Sequence, residues 1–231
     1  MNQVAKAHDA TSCYDAVIFD LDGTLIDSAH DIAAALSAAF LERGWPALAP
    51  GYVENFIGNG PRRLVADILS DHSIAVPEDR IDEALAAYLA HYARNPADHT
   101  RFYPHVREDL RALHATGLRL GICTNKPQGL TERILDITGI GTLFETVVGA
   151  DAVPACKPDP GHLRHVAARM RLGAADYAYV GDTKVDQLTA QAAGIPFFVV
   201  PWGKGEEVAV PAGQRLTRLA VLAALAAGRA R

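Results

Sequence analysis

The stretch Ala16-Val17-Ile18-Phe19-Asp20-Leu21-Asp22-Gly23-Thr24-Leu25 decides the fold. Four apolar residues run straight into an acid. A short run without polar interruption reads as a strand buried on both faces. Gly23 allows the backbone to turn sharply just beyond it. The same pattern recurs downstream. Leu118-Arg119-Leu120-Gly121-Ile122-Cys123 ends at Thr124 and Asn125. Thr146-Val147-Val148 ends at Gly149, and Tyr177-Ala178-Tyr179-Val180 ends at Gly181 and Asp182. Pro196-Phe197-Phe198-Val199-Val200 closes the series.

Helical patterns lie between these runs, over residues 106–115, 128–138, 160–170 and 185–193. Gly117, Gly139 and Gly194 mark three of their ends. Strand and helix in alternation predict an α/β fold, a Rossmann-like parallel sheet with helices on both faces. Ligands in such folds bind beyond the carboxyl ends of the strands. The polar residues that end the runs therefore share one crevice.

Residues 28–98 interrupt the alternation. They hold helical patterns over 31–43, 61–70 and 77–94 and no convincing strand. Ser28 and Asp31 have the spacing of a capping box that opens the first helix. This stretch reads as a small all-helical domain inserted after the first strand. The core then comprises 14–27 and 99–231, Tyr103-Pro104-His105 is the hinge returning to it, and residues 1–13 are expected to be disordered.

Composition narrows the function. A net charge of -5 argues against sequence-independent nucleic-acid binding, which needs a basic face. Three cysteines, an odd and sparse set, do not form a disulfide framework, so a reducing cytoplasm is the simplest home. The N-terminus lacks a secretory h-region. The apolar stretch 219–227 is far shorter than the roughly 20 residues needed to span a bilayer, and reads as a packed C-terminal helix. Monomer and homodimer both remain open. Among the nine histidines, His162 and His165 are three apart on a helix without a third ligand, and read as surface residues.

Two acids two residues apart after a buried strand are costly unless something offsets their charge. A divalent cation would do so, because Mg²⁺ prefers a few carboxylates, phosphate oxygens and water. The bland alternative is a turn rich in Asp and Gly. Gly181-Asp182-Thr183-Lys184-Val185-Asp186 is a second acidic strand end. Asp182 offers a further ligand, whereas Asp186 either lies close behind the metal or only caps the next helix through Thr183. Thr124-Asn125-Lys126 offers a hydroxyl, an amide and backbone N–H groups suited to phosphoryl oxygens, or simply a helix N-cap. Lys157, beside Pro158, is either a phosphate ligand or a solvated cation.

These segments together, Asp20-Leu21-Asp22-Gly23-Thr24, Thr124, Lys157-Pro158 and Gly181-Asp182 with Asp186, resemble the four ordered motifs of the haloacid dehalogenase superfamily. The resemblance spans about residues 15–200, and residues 28–98 resemble its helical cap. Ile57-Gly58-Asn59-Gly60, Cys123-Thr124-Asn125-Lys126-Pro127 and Arg101-Phe102-Tyr103-Pro104 are most similar to bacterial phosphoglycolate phosphatases. The resemblance implies Asp20 as nucleophile and Asp22 as general acid and base. It implies Mg²⁺ held by Asp20, the Asp22 carbonyl and Asp182, with Asp186 behind it. Thr124, Asn125 and Lys157 would hold the phosphoryl group. Dehalogenases of the superfamily lack an acid at position 22, so Asp22 favours phosphate transfer.

The expected substrate is a small phosphorylated metabolite bearing a carboxylate, 2-phosphoglycolate first. Sugar phosphates, nucleotides and pyrophosphate are alternatives, with a mutase, a dehalogenase or a non-catalytic binding protein further off. Gly58, Asn59 and Gly60 form a turn whose N–H groups can approach the substrate carboxylate. Arg62 or Arg63 either binds that carboxylate or is solvated.

Overall fold

A computed structural model describes residues 14–226. The expected disorder of residues 1–13 and the last residue of the expected 219–227 helix lie outside them. In chain order the regular elements begin with β1 (Ala16–Phe19), β2 (Ile26–Asp27), α1 (Ala29–Leu41), α2 (Pro50–Val53), α3 (Pro61–Asp71) and α4 (Glu78–Arg94). They continue with β3 (Arg101–Phe102), α5 (Val106–Ala115), β4 (Arg119–Cys123), α6 (Gln128–Thr138) and β5 (Thr146–Val148). The last are α7 (Pro160–Arg169), β6 (Tyr177–Gly181), α8 (Lys184–Ala193), β7 (Phe197–Val199) and α9 (Ala223–Ala226). A short 3₁₀ turn, Leu219–Leu222, precedes α9, so the expected C-terminal helix is split.

Five strands form one parallel sheet in the order β5-β4-β1-β6-β7. The first strand is central. The chain builds outward on one side of it and then on the other, which puts the topological switch point just beyond Phe19. Phe19 is in register with Ile122 and with Val180. Asp20, Thr124 and Asp182 therefore leave the sheet at nearly one level.

Alternate residues of each strand enter two separate cores. Val17, Phe19, Leu120, Ile122 and Val180 pack with Leu110 and Leu113 of α5 and Ile134 of α6. Ala16, Ile18, Cys123, Tyr179 and Val199 pack with Leu163, Val166 and Met170 on the other face. A Cβ on Gly121 would lie 2.8 Å from Met170 Sδ and 3.3 Å from Val166 Cγ1, so α7 and the segment after it pack closely on β4 at this glycine. Burial on both faces is why these strands lack alternating polarity.

Helices α1 to α4 form a helical layer, with α1 against α4 and α2, and α3 against α4, and their buried residues join the first of the two cores. Leu64, Val65, Ile68 and Leu69 are the buried stripe of α3, and Ile81, Ala84, Tyr88 and Tyr92 that of α4. The chain enters and leaves this layer through an antiparallel ribbon, Ile26 opposite Phe102 and Asp27 opposite Arg101. Tyr103 follows and stacks on Trp202 at 5.6 Å between ring centres. No helix among the described residues is long and apolar enough to cross a membrane.

Two local expectations are corrected. Ser28 is the N-cap residue of α1, but its hydroxyl makes no cap bond. It donates to Asp22 Oδ1 at 2.5 Å. Asp31 accepts instead from His99 N and from Thr100 Oγ1, at 2.9 and 2.6 Å. Both side chains tie α1 to the crossing point, so the capping box does not form. His162 is buried, not on the surface, and its Nε2 lies 3.2 Å from the Val148 carbonyl. His165 is exposed.

Candidate active site

The turn after β1 is built around the Leu21 carbonyl, which accepts from the N–H groups of Thr24, Leu25 and Ile26. Gly23 carries it at φ +85°, where a side chain would be strained. A Cβ there would also lie 2.3 Å from Asp182 Oδ2. This glycine thus brings the first acidic loop against the second. Gly203 does the same from the far side, with its own hypothetical Cβ 2.7 Å from the same oxygen.

The strand ends converge on Lys157. Its Nζ lies 2.7 Å from Asp20 Oδ1, 2.7 Å from Asp186 Oδ1 and 3.0 Å from the Tyr179 hydroxyl. Asp182 accepts from Thr24 Oγ1 at 2.9 Å and from the Lys204 N–H at 3.2 Å. Asp186 carries two jobs at once. It forms the full capping box of α8 with Thr183, and it anchors Lys157. The spacing offers a place close behind a metal or a cap as alternatives, and the contact with Lys157 is neither. Thr124, buried at the end of β4, accepts from the Lys126 N–H at 3.2 Å.

Asp20, Asp182 and Asp186 each place an oxygen within 4.8 Å of the others. Burial drives the Asp20 carboxyl up to about 7, against the charge of Lys157. Burial and the neighbouring acids push Asp182 well above its ordinary range. Burial also acts to raise Asp186, but Lys157 and the hydroxyl donors outweigh it and hold this carboxyl below its ordinary value. All four of its short contacts are protein donors: Lys157 and Tyr179 on Oδ1, the Thr183 N–H and hydroxyl on Oδ2. Asp20 and Asp182 are the pair whose charge lacks full compensation. Two buried carboxylates of this kind fit a hard divalent cation.

A family model described as haloacid dehalogenase-like hydrolase matches residues 17–200. This chain belongs to that family. Among its relatives is a phosphoglycolate phosphatase of Cereibacter sphaeroides, 42% identical over 181 residues, covering 78% of this chain and 82% of the relative. Another, a phosphoglycolate phosphatase of Rhodospirillum rubrum, is 38% identical and covers 83% and 81%. The crystal structure of a predicted phosphoglycolate phosphatase from Haemophilus somnus superimposes with TM-score 0.80 at 27% identity, covering 90% and 96%.

In this hydrolase a cavity opens between the strand ends and the helical layer. Asp20, Asp22, Thr124, Asn125 and Lys126 form one wall. Ile32, Ile57, Gly58, Gly60, Pro61, Leu64, Tyr88 and Tyr92 form the other. Gly58 and Gly60 thus reach the site, whereas Asn59 is exposed and does not line it.

The arginines do not reach it either. Arg62, with 49% of its side chain exposed, pairs with Glu78 and with Asp82, the latter at 3.0 Å. Arg63, 69% exposed, pairs with Asp67 at 2.7 Å. The apolar stripe of α3 faces inward, so residues 62 and 63 face out. The Asn125 amide is likewise not directed to a ligand. Its Nδ2 donates to the Gly58 and Lys157 carbonyls at 3.0 and 2.9 Å, and its Oδ1 accepts from the Lys157 N–H at 2.9 Å. It is a clasp between the helical layer, β4 and the Lys157 loop.

Two residues went unread in the sequence. Lys126 Nζ donates to Asp22 Oδ1 and Oδ2 at 2.8 and 2.9 Å and sits 4.7 Å from the centre of the Tyr92 ring. Its only signal was its place beside Thr124 and Asn125. Lys204 donates its backbone N–H to Asp182, and its Nζ to the Asn55 and Ile57 carbonyls at 2.8 and 3.2 Å. A lysine in a Gly-flanked loop gives no sequence signal for such a bridge.

Proposed function

We propose that this hydrolase is a Mg²⁺-dependent phosphatase that forms an aspartyl-phosphate on Asp20, and that its substrate is 2-phosphoglycolate. The observation that carries the reading is the convergence of Asp20, Asp22, Thr124, Lys157 and Asp182 at the switch point of the sheet. The Asp20 carboxylate attacks phosphorus, and the bond from phosphorus to the leaving oxygen breaks. Asp22 gives that oxygen its proton. It then takes one from the water that cleaves the phospho-enzyme, a role worth about 10²–10⁴-fold.

Lys157 and Thr124 orient the phosphoryl oxygens, and Lys157 offsets the repulsion between Asp20 and an anionic substrate. Asp186 and Tyr179 hold Lys157 in place. Asp20, Asp182 and the Asp22 carbonyl are the groups to hold Mg²⁺, which supplies charge neutralisation for phosphoryl transfer. Residues 28–98 act as a cap over a core of 14–27 and 99–231. Ile57, Gly58, Leu64, Tyr88 and Tyr92 exclude water from the crevice.

The names of the relatives support 2-phosphoglycolate over other esters. The test is phosphate release with Mg²⁺ from 2-phosphoglycolate beside sugar phosphates, nucleotides and pyrophosphate. A lead of orders of magnitude in kcat/KM for 2-phosphoglycolate is the expected outcome. Even turnover across the panel overturns the substrate, and no turnover of any ester overturns the chemistry.

A further inference from the structure

We infer that Lys126 recognises the carboxylate of the leaving group and so sets the preference for a small anionic substrate. The inference rests on the phosphatase reading above and adds the residue that reads the organic half of the ester.

Lys126 is the one cationic side chain among the described residues lining the cavity. The arginines of α3 are spent on surface acids. An ammonium has three N–H donors, and Asp22 occupies one side of this one. Ile57, Leu64 and Tyr88 exclude water around it, which strengthens its attraction for an anion. Its position follows the order of groups in the substrate. The phosphoryl group is held at Asp20 and Thr124, and Asp22 meets the bridging oxygen. Lys126 touches Asp22 directly, so it lies where a carboxylate one carbon beyond that oxygen would fall.

A second group points the same way. The Tyr92 hydroxyl, buried on the facing wall, makes no hydrogen bond among the described residues. The nearby Ser28 hydroxyl donates to Asp22 instead. A buried polar group without a partner is uncommon and marks a place for a polar ligand.

The competing role for Lys126 is merely to neutralise Asp22. The two roles separate by substrate. Wild type, Lys126→Met and Lys126→Gln are compared on 2-phosphoglycolate and on ethyl phosphate, the same skeleton without the carboxylate, with Mg²⁺. Glutamine keeps an N–H donor toward Asp22 and serves if the methionine variant does not fold. Losing the partner of a desolvated charge predicts that the ratio of the two kcat/KM values falls at least about 30-fold in each variant, mainly through KM for 2-phosphoglycolate. A ratio within about threefold of wild type, with both rates reduced together, assigns Lys126 to Asp22 alone and overturns the inference while the function stands. A wild type that shows no preference for 2-phosphoglycolate over ethyl phosphate overturns the substrate assignment, and the inference with it.

Discussion

The two walls of the crevice obey different rules. On the sheet side, Asp20, Thr124 and Asp182 each follow the last residue of a buried, in-register strand, so a residue's place in the chain fixes its place in space. On the helical side, Pro61 and Leu64 line the cavity while Arg62 and Arg63 between them lie outside it. A helix turns by about 100° per residue, so neighbours in sequence face different ways. Adjacency to a glycine turn is therefore poor evidence that a helical side chain reaches a ligand. The buried stripe 64, 65, 68, 69 decides it, and that stripe excludes 62 and 63.

The strand-end wall should be the intolerant one. Asp20→Asn is expected to lower turnover by at least about 10⁴-fold, because the nucleophile is removed. It should also stabilise the metal-free protein. Folding raises the Asp20 carboxyl from 3.8 to about 7 through burial. The folded chain then holds more protons than the unfolded chain between those values, so stability falls as pH rises through that window. Asparagine removes the penalty. With EDTA present, the variant should melt above wild type at pH 8, and the gap should close toward pH 4. An equal gap at both pH values would show that Asp20 is not strained by burial.

The clasp joining the two walls comes next. Asn125→Ala removes three hydrogen bonds, two of them buried and one half-buried. At about 1 kcal/mol each, the expected loss is about 2–4 kcal/mol in chemical denaturation. Because Lys157 is held through its own backbone by this amide, kcat should fall as well. Normal stability would mean that water replaces the amide at little cost, and that the two walls are not tied together here.

His162 lies behind the strand-end wall and titrates against it. Burial first, and then the Lys157 charge, lower its imidazolium from 6.5 to about 4. A base with a lowered folded value contributes stability that is complete above about pH 6.5. That stability is lost as pH falls to about 4, and below that the loss is complete. The contribution is at most about 3 kcal/mol. His162→Gln keeps a donor for the Val148 carbonyl, and should flatten stability between pH 6.5 and 4 without altering it on the alkaline side. An unchanged acid limb in urea titrations would assign the loss to other groups.

Most of the sheet was readable because burial on both faces leaves an uninterrupted apolar run. The bounds of α5 and α6 match their sequence patterns, since a glycine ends each. The β2–β3 ribbon was not readable, because strands of two residues have no period to detect. Asp186 was half legible: its spacing gave the cap, but only the fold brings Lys157 to its other oxygen. Asn125 was read as a ligand because its three partners come from residues 58 and 157, which no local pattern connects to it. Lys126 was visible as a residue and invisible as a site, since its partner Asp22 lies 104 positions away.

The smallest effect tests the helical wall most sharply. Arg62→Ala removes two surface ion pairs and Arg63→Ala one, and such pairs are screened by solvent. Neither side chain lines the cavity, so neither contributes charge at short range to a bound anion. The expected change in KM for 2-phosphoglycolate is below about threefold for each. Arg62 braces α3 against α4 through Glu78 and Asp82, so its loss would act by moving the wall that carries Leu64, Tyr88 and Tyr92. Such movement would raise KM for every ester alike. A rise of tenfold or more confined to the carboxylate-bearing ester would mean that α3 rotates an arginine inward when substrate binds. That result would restore the arginines as readers of the leaving group in place of Lys126.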